Sequence, residues 1–320
     1  MNWGWRWPSI TQAEDRFVLT AVGRDRPGIV ATVTGVLSRF HANILKTRAS
    51  TIFSNLFVII MIVDATHSTI KRRNLINILK RSCDGIGLAL AVESGESYKC
   101  GKQVIVFDLD GTIIEQEVIE ELAKAAGVHD EVKRITALAM EGKMNFLEAL
   151  RARVRLLKGL PVSKMDDVRR SIRINPSVID LVRRLKEVGF IVGIVTGGFD
   201  FVANHVGETI GADHVFSNRL IVKNGRLTGE VEGEMVGPEA KLKAIKTIAE
   251  GRGIGLQSCV AVGDGANDLF MIENVGLGVG FKAKLVVKEK ASAVINTDDL
   301  NVLLAIIGCI DLKKDVLKRI

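Results

Sequence analysis

Two carboxylates, Asp108 and Asp110, stand two residues apart in the segment D-L-D-G-T, directly behind the apolar run Val104–Phe107. Residues i and i+2 of an extended strand project from the same face, so this pair would point together at a strand's end. Like charges held close repel one another, and a divalent cation bound by oxygen ligands would relieve that repulsion. On its own the segment could equally be a turn with an Asx cap. Three further segments carry compatible chemistry. Thr196 follows the apolar run Phe190–Val195 and opens T-G-G-F, read as the start of a helix, where a hydroxyl and backbone N–H groups would hold a phosphate. Lys241 lies on a helix that Pro238 begins. V-G-D-G-A-N-D at residues 262–268 places Asp264 and Asp268 behind another apolar run. A glycine turn, a solvated lysine and an acidic surface turn would each explain one segment. Four such segments in succession, each at a strand end or helix start, point to phosphate chemistry assisted by a metal.

The elements that would position these residues follow from apolar periodicity. Val104–Phe107, Phe190–Val195, Ser258–Val262 and Gly276–Val279 are short apolar runs without polar alternation, as strands buried on both faces should be. Helical patterns such as Pro176–Val188 and Glu239–Glu250 lie between them. The predicted class is α/β, a doubly wound Rossmann-like parallel sheet, whose ligands bind at the carboxyl ends of its strands. Residues from about 128 to 171 hold three helical patterns with no strand between them, which predicts an inserted helical cap. Asn224-Gly225 between apolar runs predicts a hairpin.

Ahead of this part, residues 16–93 read strand, helix, strand, strand, helix, strand. This is a small α+β βαββαβ module with two helices on one face of an antiparallel sheet. Asp25 stands in N-cap range of its first helix and Pro27 in the first turn. Ile29, Val33, Val36, Leu37 and Phe40 fall on one helical face. Residues 94–102, S-G-E-S-Y-K-C-G-K, read as a linker, and residues 103–310 as the second domain. Residues 1–15, with Trp3, Trp5 and Trp7, and 311–320 read as tails.

Composition narrows the partners. The chain has 320 residues, 47% hydrophobic and 25% charged, ordinary for a globular protein. The longest apolar run, Leu56–Val63, is far short of the ~18–20 residues that span a bilayer, so no membrane partner is expected. The N-terminal segment has no basic region followed by an apolar stretch, as a secretory signal would. Cys83, Cys100, Cys259 and Cys309 are scattered, which fits reduced thiols and a cytoplasmic location. The net charge of +7 is spread along helices, with a single Tyr and no aromatic platform interleaved. That pattern suits anionic small molecules better than nucleic acid, which is not expected as a partner.

The four segments resemble the motifs of the haloacid dehalogenase superfamily. Within it, residues from about 103 to 307 are similar to the phosphoserine phosphatases. The more specific likeness lies in E-V-I-E-E-L-A, in E-G-K-M-N-F-L-E-A-L-R-A-R-V (141–154), in T-G-G-F-D and in N-R-L-I-V-K-N-G-R-L-T-G. Gly111 and Thr196 stand where close relatives often have Ser. The resemblance implies Asp108 as nucleophile and Asp110 as general acid and base. It implies Mg²⁺ held by Asp108, Asp264 and the backbone carbonyl of Asp110, with Asp268 orienting that shell. Thr196, Gly197, Lys241 and Asn267 would hold the phosphate of phosphoserine. Arg153 would meet the substrate carboxylate, Glu117 its ammonium, and Phe146 would close over it. The chemistry is reasonable: a carboxylate is ionised at neutral pH, and a guanidinium can donate two parallel bonds to a carboxylate.

D-R-P-G-I-V (25–30) and H-A-N-I (41–44) make the first module similar to ACT domains. That resemblance implies a free amino-acid ligand at Asp25, Gly28 and Asn43 and a homodimer. Two rival readings stay open. One is a phosphatase or phosphotransferase on another small phosphorylated amino alcohol such as phosphohomoserine. The other is an amino-acid sensor with a vestigial catalytic domain, which the intact set Asp108, Asp110, Lys241, Asp264 and Asp268 argues against.

Overall fold

The computed structural model describes residues 15–52, 55–140 and 142–309; the tryptophans of the N-terminal segment and the C-terminal tail lie outside them. The first module runs β1 (Arg16–Arg24), α1 (Ile29–Arg39), β2 (Asn43–Ile52), β3 (Leu56–Asp64), α2 (Arg72–Asp84) and β4 (Ala89–Glu93). A short α3 (Gly95–Lys99) leads to β5 (Val104–Phe107) and α4 (Val118–Ala126). Three helices follow without a strand: α5 (His129–Met140), α6 (Phe146–Leu156) and α7 (Val162–Ser171). The alternation resumes with α8 (Pro176–Glu187), β6 (Ile191–Phe199), α9 (Asp200–Ile210) and β7 (His214–Asn218), then the hairpin β8 (Leu220–Lys223) and β9 (Arg226–Val231). The described residues finish with α10 (Pro238–Glu250), β10 (Cys259–Gly263), α11 (Leu269–Glu273), β11 (Leu277–Phe281), α12 (Leu285–Lys290), β12 (Ala293–Ile295) and α13 (Val302–Ile306).

Ten of the strands form one sheet in the order β2-β3-β1-β4-β12-β11-β10-β5-β6-β7, and β8 and β9 pair separately. Its first four strands are antiparallel and its last six parallel. The two halves join where β4 pairs antiparallel with β12, Ala293 opposite Ala91. The strand order reverses around β5 and β10, and the crevice there is where such sheets bind ligands.

This continuity explains a feature of the sequence. α1 and α2 cover one face of the first module, burying Phe17, Leu19, Met61 and Val63 against Val33, Leu37, Leu75 and Leu79. The opposite face, with Val18, Val22, Val58 and Ile60, packs into the main core beside Leu303 and Leu304 of α13. With both faces buried, β1 and β3 need no polar alternation, hence the unbroken run from Leu56 to Val63.

Two local expectations are corrected. Helix α1 begins at Ile29 with Gly28 as its N-cap at φ 95°, so Pro27 precedes the first turn. Asp25 does not cap it; its carboxylate accepts from Thr51 Oγ1 at 3.1 Å. The segment read as a linker carries α3 and is packed against the fold. Glu93 and Lys102, each with its side chain 5% exposed, pair at 3.2 Å, and Ser97 Oγ donates to Glu93 Oε2 at 3.0 Å. Pairing relieves the cost of burying those charges, and it pins residues 93–102 to the fold. Elsewhere the hairpin turn carries Asn224 and Gly225 at φ 51° and 71°, as a two-residue Asn-Gly turn requires. Among the described residues no helix is long and apolar enough to cross a membrane.

Candidate active site

Asp108 follows the last residue of β5, and its backbone N–H donates to Val262 O of the neighbouring β10 at 2.8 Å. The parallel pairing of β5 with β10 therefore brings D-L-D-G-T beside V-G-D-G-A-N-D. Lys241, on the first turn of α10, reaches between them. Its Nζ lies 2.7 Å from Asp108 Oδ1 and 2.6 Å from Asp268 Oδ1. All three residues are buried, Lys241 and Asp268 completely. Burial alone would lower the Lys241 ammonium, but Asp108 and Asp268 hold it above its ordinary value.

Asp268 is fully engaged. Its second oxygen accepts from the backbone N–H groups of Asp264 (3.2 Å) and Gly265 (3.1 Å), which fixes the loop that carries Asp264. Asp108 is less well served: its Oδ1 meets the lysine as an ion pair at 2.7 Å, without the backbone N–H groups that Asp268 has. Asp110 Oδ1 accepts from the Val118 N–H at 2.9 Å, and its Oδ2 accepts from Thr196 Oγ1 at 3.4 Å.

Four aspartates thus converge on one lysine, and the imbalance shows in their acidity. Burial and Asp268 push the Asp108 carboxyl well above its usual range, against the pull of Lys241. Burial also raises Asp110, and burial with Asp268 raises Asp264 to about 6. A desolvated anionic cluster short of positive charge is what a hard divalent cation fits. Asp108, Asp264 and Asp268 each offer a carboxylate oxygen within 4.8 Å of one another. Asp110's carboxylate is not in that group, since it is turned toward Val118 and Thr196.

The segment T-G-G-F corrects a prediction. Thr196 does not open a helix: β6 continues through Phe199, and α9 starts at Asp200. The Thr196 hydroxyl instead accepts from the Gly198 N–H at 2.8 Å. Two side-chain-free positions let the walls close. A Cβ at Gly198 would stand 2.7 Å from Asp110 Oδ2, and one at Gly197 2.7 Å from Cζ of Phe146. Asn218, buried at the end of β7, donates to Gly197 O and accepts from the Val236 N–H, both at 2.8 Å. It was not singled out in the sequence, because one Asn closing a strand carries no local signal.

The cap completes an enclosure of about 420 Å³, lined among others by Asp108, Asp110, Glu117, Phe146, Arg153 and Thr196. Gly197, Asp264 and Asn267 also line it, as does Lys284, which the sequence reading missed. Lys241 and Asp268 lie beneath its floor. On α6, Arg153 Nε donates to Ala149 O at 3.2 Å, and its NH1 to Thr136 Oγ1 of α5 at 3.3 Å. Glu117, just before α4, is raised to about 8 by burial and by Asp110 and Asp264. A ligand cation beside it would lower that value again. Asp25, Gly28 and Asn43 belong to the other half of the sheet and do not line this enclosure.

Residues 105–273, just over half of the chain, match the haloacid dehalogenase-like hydrolase family, and residues 15–93 match the ACT domain family. The chain therefore belongs to the haloacid dehalogenase-like hydrolases. It is 46% identical over 203 residues to the phosphoserine phosphatase of Methanocaldococcus jannaschii, covering 63% of this chain and 96% of that protein. It is 43% identical over 222 residues to the phosphoserine phosphatase of Archaeoglobus fulgidus, covering 69% of this chain but only 64% of that longer relative. Among solved structures it is similar to a phospho-aspartyl intermediate analogue of phosphoserine phosphatase, with a TM-score of 0.61, 46% identity, and coverage of 64% of this chain and 99% of that one. Within the hydrolase class it is a member of the phosphoserine phosphatase family, preceded by an ACT domain.

Proposed function

We propose that this protein hydrolyses O-phosphoserine to serine and phosphate, with Mg²⁺ bound, through a phosphoryl group carried on Asp108. The observation that carries the reading is the placement of opposite recognition charges, Arg153 and Glu117, in one pocket with Asp108, which Lys241 and Asp268 back from beneath.

Arg153 would pair with the substrate carboxylate and Glu117 with its ammonium, while Phe146 shuts out water over Gly197. Thr196, the backbone N–H of Gly197 and Asn267 would donate to phosphate oxygens. Asp108 attacks phosphorus as the bond to the serine oxygen breaks, and Asp110 delivers a proton to that oxygen. Asp110 then takes a proton from the water that attacks the aspartyl phosphate, releasing phosphate and restoring Asp108. Lys241 favours the ionised form of Asp108 and offsets phosphate charge. Asp108, Asp264 and the Asp110 carbonyl would hold the metal, with Asp268 steadying the Asp264 loop. When bound, Mg²⁺ supplies positive charge that lets a carboxylate approach a phosphate dianion.

Two expectations arise here. Exhaustive chelation should abolish phosphate release from phosphoserine, and added Mg²⁺ should restore it; full turnover in excess chelator would contradict the metal role. Arg153→Ala should lower kcat/KM for phosphoserine by about ten- to a hundredfold, the loss of one charge-assisted hydrogen bond. Hydrolysis of p-nitrophenyl phosphate, which has no carboxylate, should change far less. Equal losses on both substrates would remove Arg153 from substrate recognition. A panel including phosphohomoserine, phosphothreonine and sugar phosphates tests the substrate, since preference for another member overturns phosphoserine.

For the N-terminal module the reading is an amino-acid ligand at Asp25, Gly28 and Asn43 and pairing with a second copy in the cytoplasm. The left-handed Gly28, the exposed Asn43 and the position of β2 as the end strand of the sheet support it.

A further inference from the structure

Lys80 lies in the ACT module, on α2, yet it is only 8% exposed and makes all its observed hydrogen bonds to the other half of the molecule. Its Nζ donates to Lys288 O at 3.0 Å, Glu289 O at 3.2 Å and Ala291 O at 2.7 Å. These are carbonyls at the C-terminal end of α12, which a helix of any length leaves without intrahelical partners and which attract a cation. Taking a lysine out of water without a hydrogen-bonded carboxylate is costly, and burial lowers the Lys80 ammonium to about 8. One neighbour on α2 reinforces the contact: Asp84 meets Lys288 Nζ at 3.3 Å and also binds Asn296, next to β12.

Beyond these, α12 is held by Lys290 Nζ, 3.2 Å from Glu273 Oε2, and by the largely exposed pair of Glu289 with Arg81 at 3.7 Å. Of its six residues only Val287 is buried, while Leu285 is 66% and Val286 41% exposed. At its other end stands Lys284, which lines the catalytic cavity. The Lys284 backbone N–H donates to Asp264 O at 3.0 Å. A single short helix thus has the ACT module's lysine at one end and the backbone of a metal-site aspartate at the other.

We propose that Lys80 is a positioning residue for the metal site, holding α12 so that Lys284 fixes the Asp264 loop. The inference rests on the metal-dependent phosphatase reading. It makes the ACT module part of the catalytic framework even with no amino acid bound to it. Removing the three donor contacts frees α12 to shift, and the Asp264 carbonyl loses the Lys284 N–H, leaving the loop held from the Asp268 side alone. Such outer support is worth about ten- to a hundredfold in metal affinity where it has been removed from other sites.

The test uses the full chain and measures metal binding directly, by electron paramagnetic resonance titration with Mn²⁺, beside steady-state kinetics at varied Mg²⁺. Lys80→Met keeps the stem and removes the donors. It should raise the Mn²⁺ dissociation constant and the Mg²⁺ half-saturation point about tenfold, while kcat at saturating Mg²⁺ stays within about threefold. Ile76→Ala, on the same helix but packed within the ACT core, should lower the thermal midpoint without moving either constant. An unchanged dissociation constant in folded Lys80→Met, or an equal rise in Ile76→Ala, would overturn the proposal. If Lys80→Met fails to fold, Asp84→Asn decides: weakened Mn²⁺ binding supports the strut and wild-type binding overturns it. Wild-type protein that binds no Mn²⁺ and needs no Mg²⁺ would instead defeat the underlying reading.

Discussion

Asp108→Asn is expected to lower kcat on phosphoserine by roughly four orders of magnitude or more, the scale on which loss of a nucleophile acts in other enzymes. The amide nearly matches the carboxylate in size, but it lacks the charge that attacks phosphorus. The fold should survive. Asp108 is one of four aspartates around a single lysine, and burial already pushes its carboxyl well above the usual range. Replacing it with a neutral group removes a repulsion with Asp268 as well as an attraction to Lys241. In metal-free protein the thermal midpoint should therefore not fall by more than a few degrees. A correctly folded variant that turned over phosphoserine near the wild-type rate would end the mechanism.

Lys241→Met should damage both activity and stability. The side chain is completely buried, with Asp108 and Asp268 at 2.7 and 2.6 Å. Methionine fills much of the space but leaves two buried carboxylates without their cation. Breaking a buried pair in this way costs about 3–5 kcal/mol, which urea unfolding of metal-free protein would register. Loss of the positive charge beneath the transferring phosphoryl group should add a drop of about a hundredfold or more in kcat. Lys241→Arg should not restore it, because the larger planar guanidinium has no room where lysine is fully enclosed. Unfolding at the wild-type urea concentration would show that Lys241 is not the charge that holds this site together.

The catalytic half was legible because its signals are local. Each strand-end motif sits directly behind an apolar run, so Val104–Phe107 and Cys259–Gly263 announce where Asp108 and Asp264 emerge. The three cap helices and the Asn224-Gly225 hairpin were readable for the same reason. What could not be read depends on partners far away in sequence. T-G-G-F has the letters of a helix start, but β6 runs on to Phe199, with Phe199 itself opposite Asn218 of β7. Asp25 has the letters of an N-cap and is claimed by Thr51. Residues 94–102 read only as a linker, and nothing local in them announces the buried pair of Glu93 with Lys102. The pairing of β4 with β12, and Lys80 with the carbonyls of α12, join segments some two hundred residues apart, beyond any periodicity argument.

The central claim is that Asp108 carries the phosphoryl group of phosphoserine. Brief incubation of the enzyme with phosphoserine and Mg²⁺, acid quenching and borohydride reduction would convert an aspartyl phosphate to homoserine, which peptide mass spectrometry can locate. The expected result is homoserine at position 108 in the wild type, dependent on substrate and absent from Asp108→Asn. Steady release of phosphate from phosphoserine with no reduced residue at 108, or with the modification at another aspartate, would contradict the account.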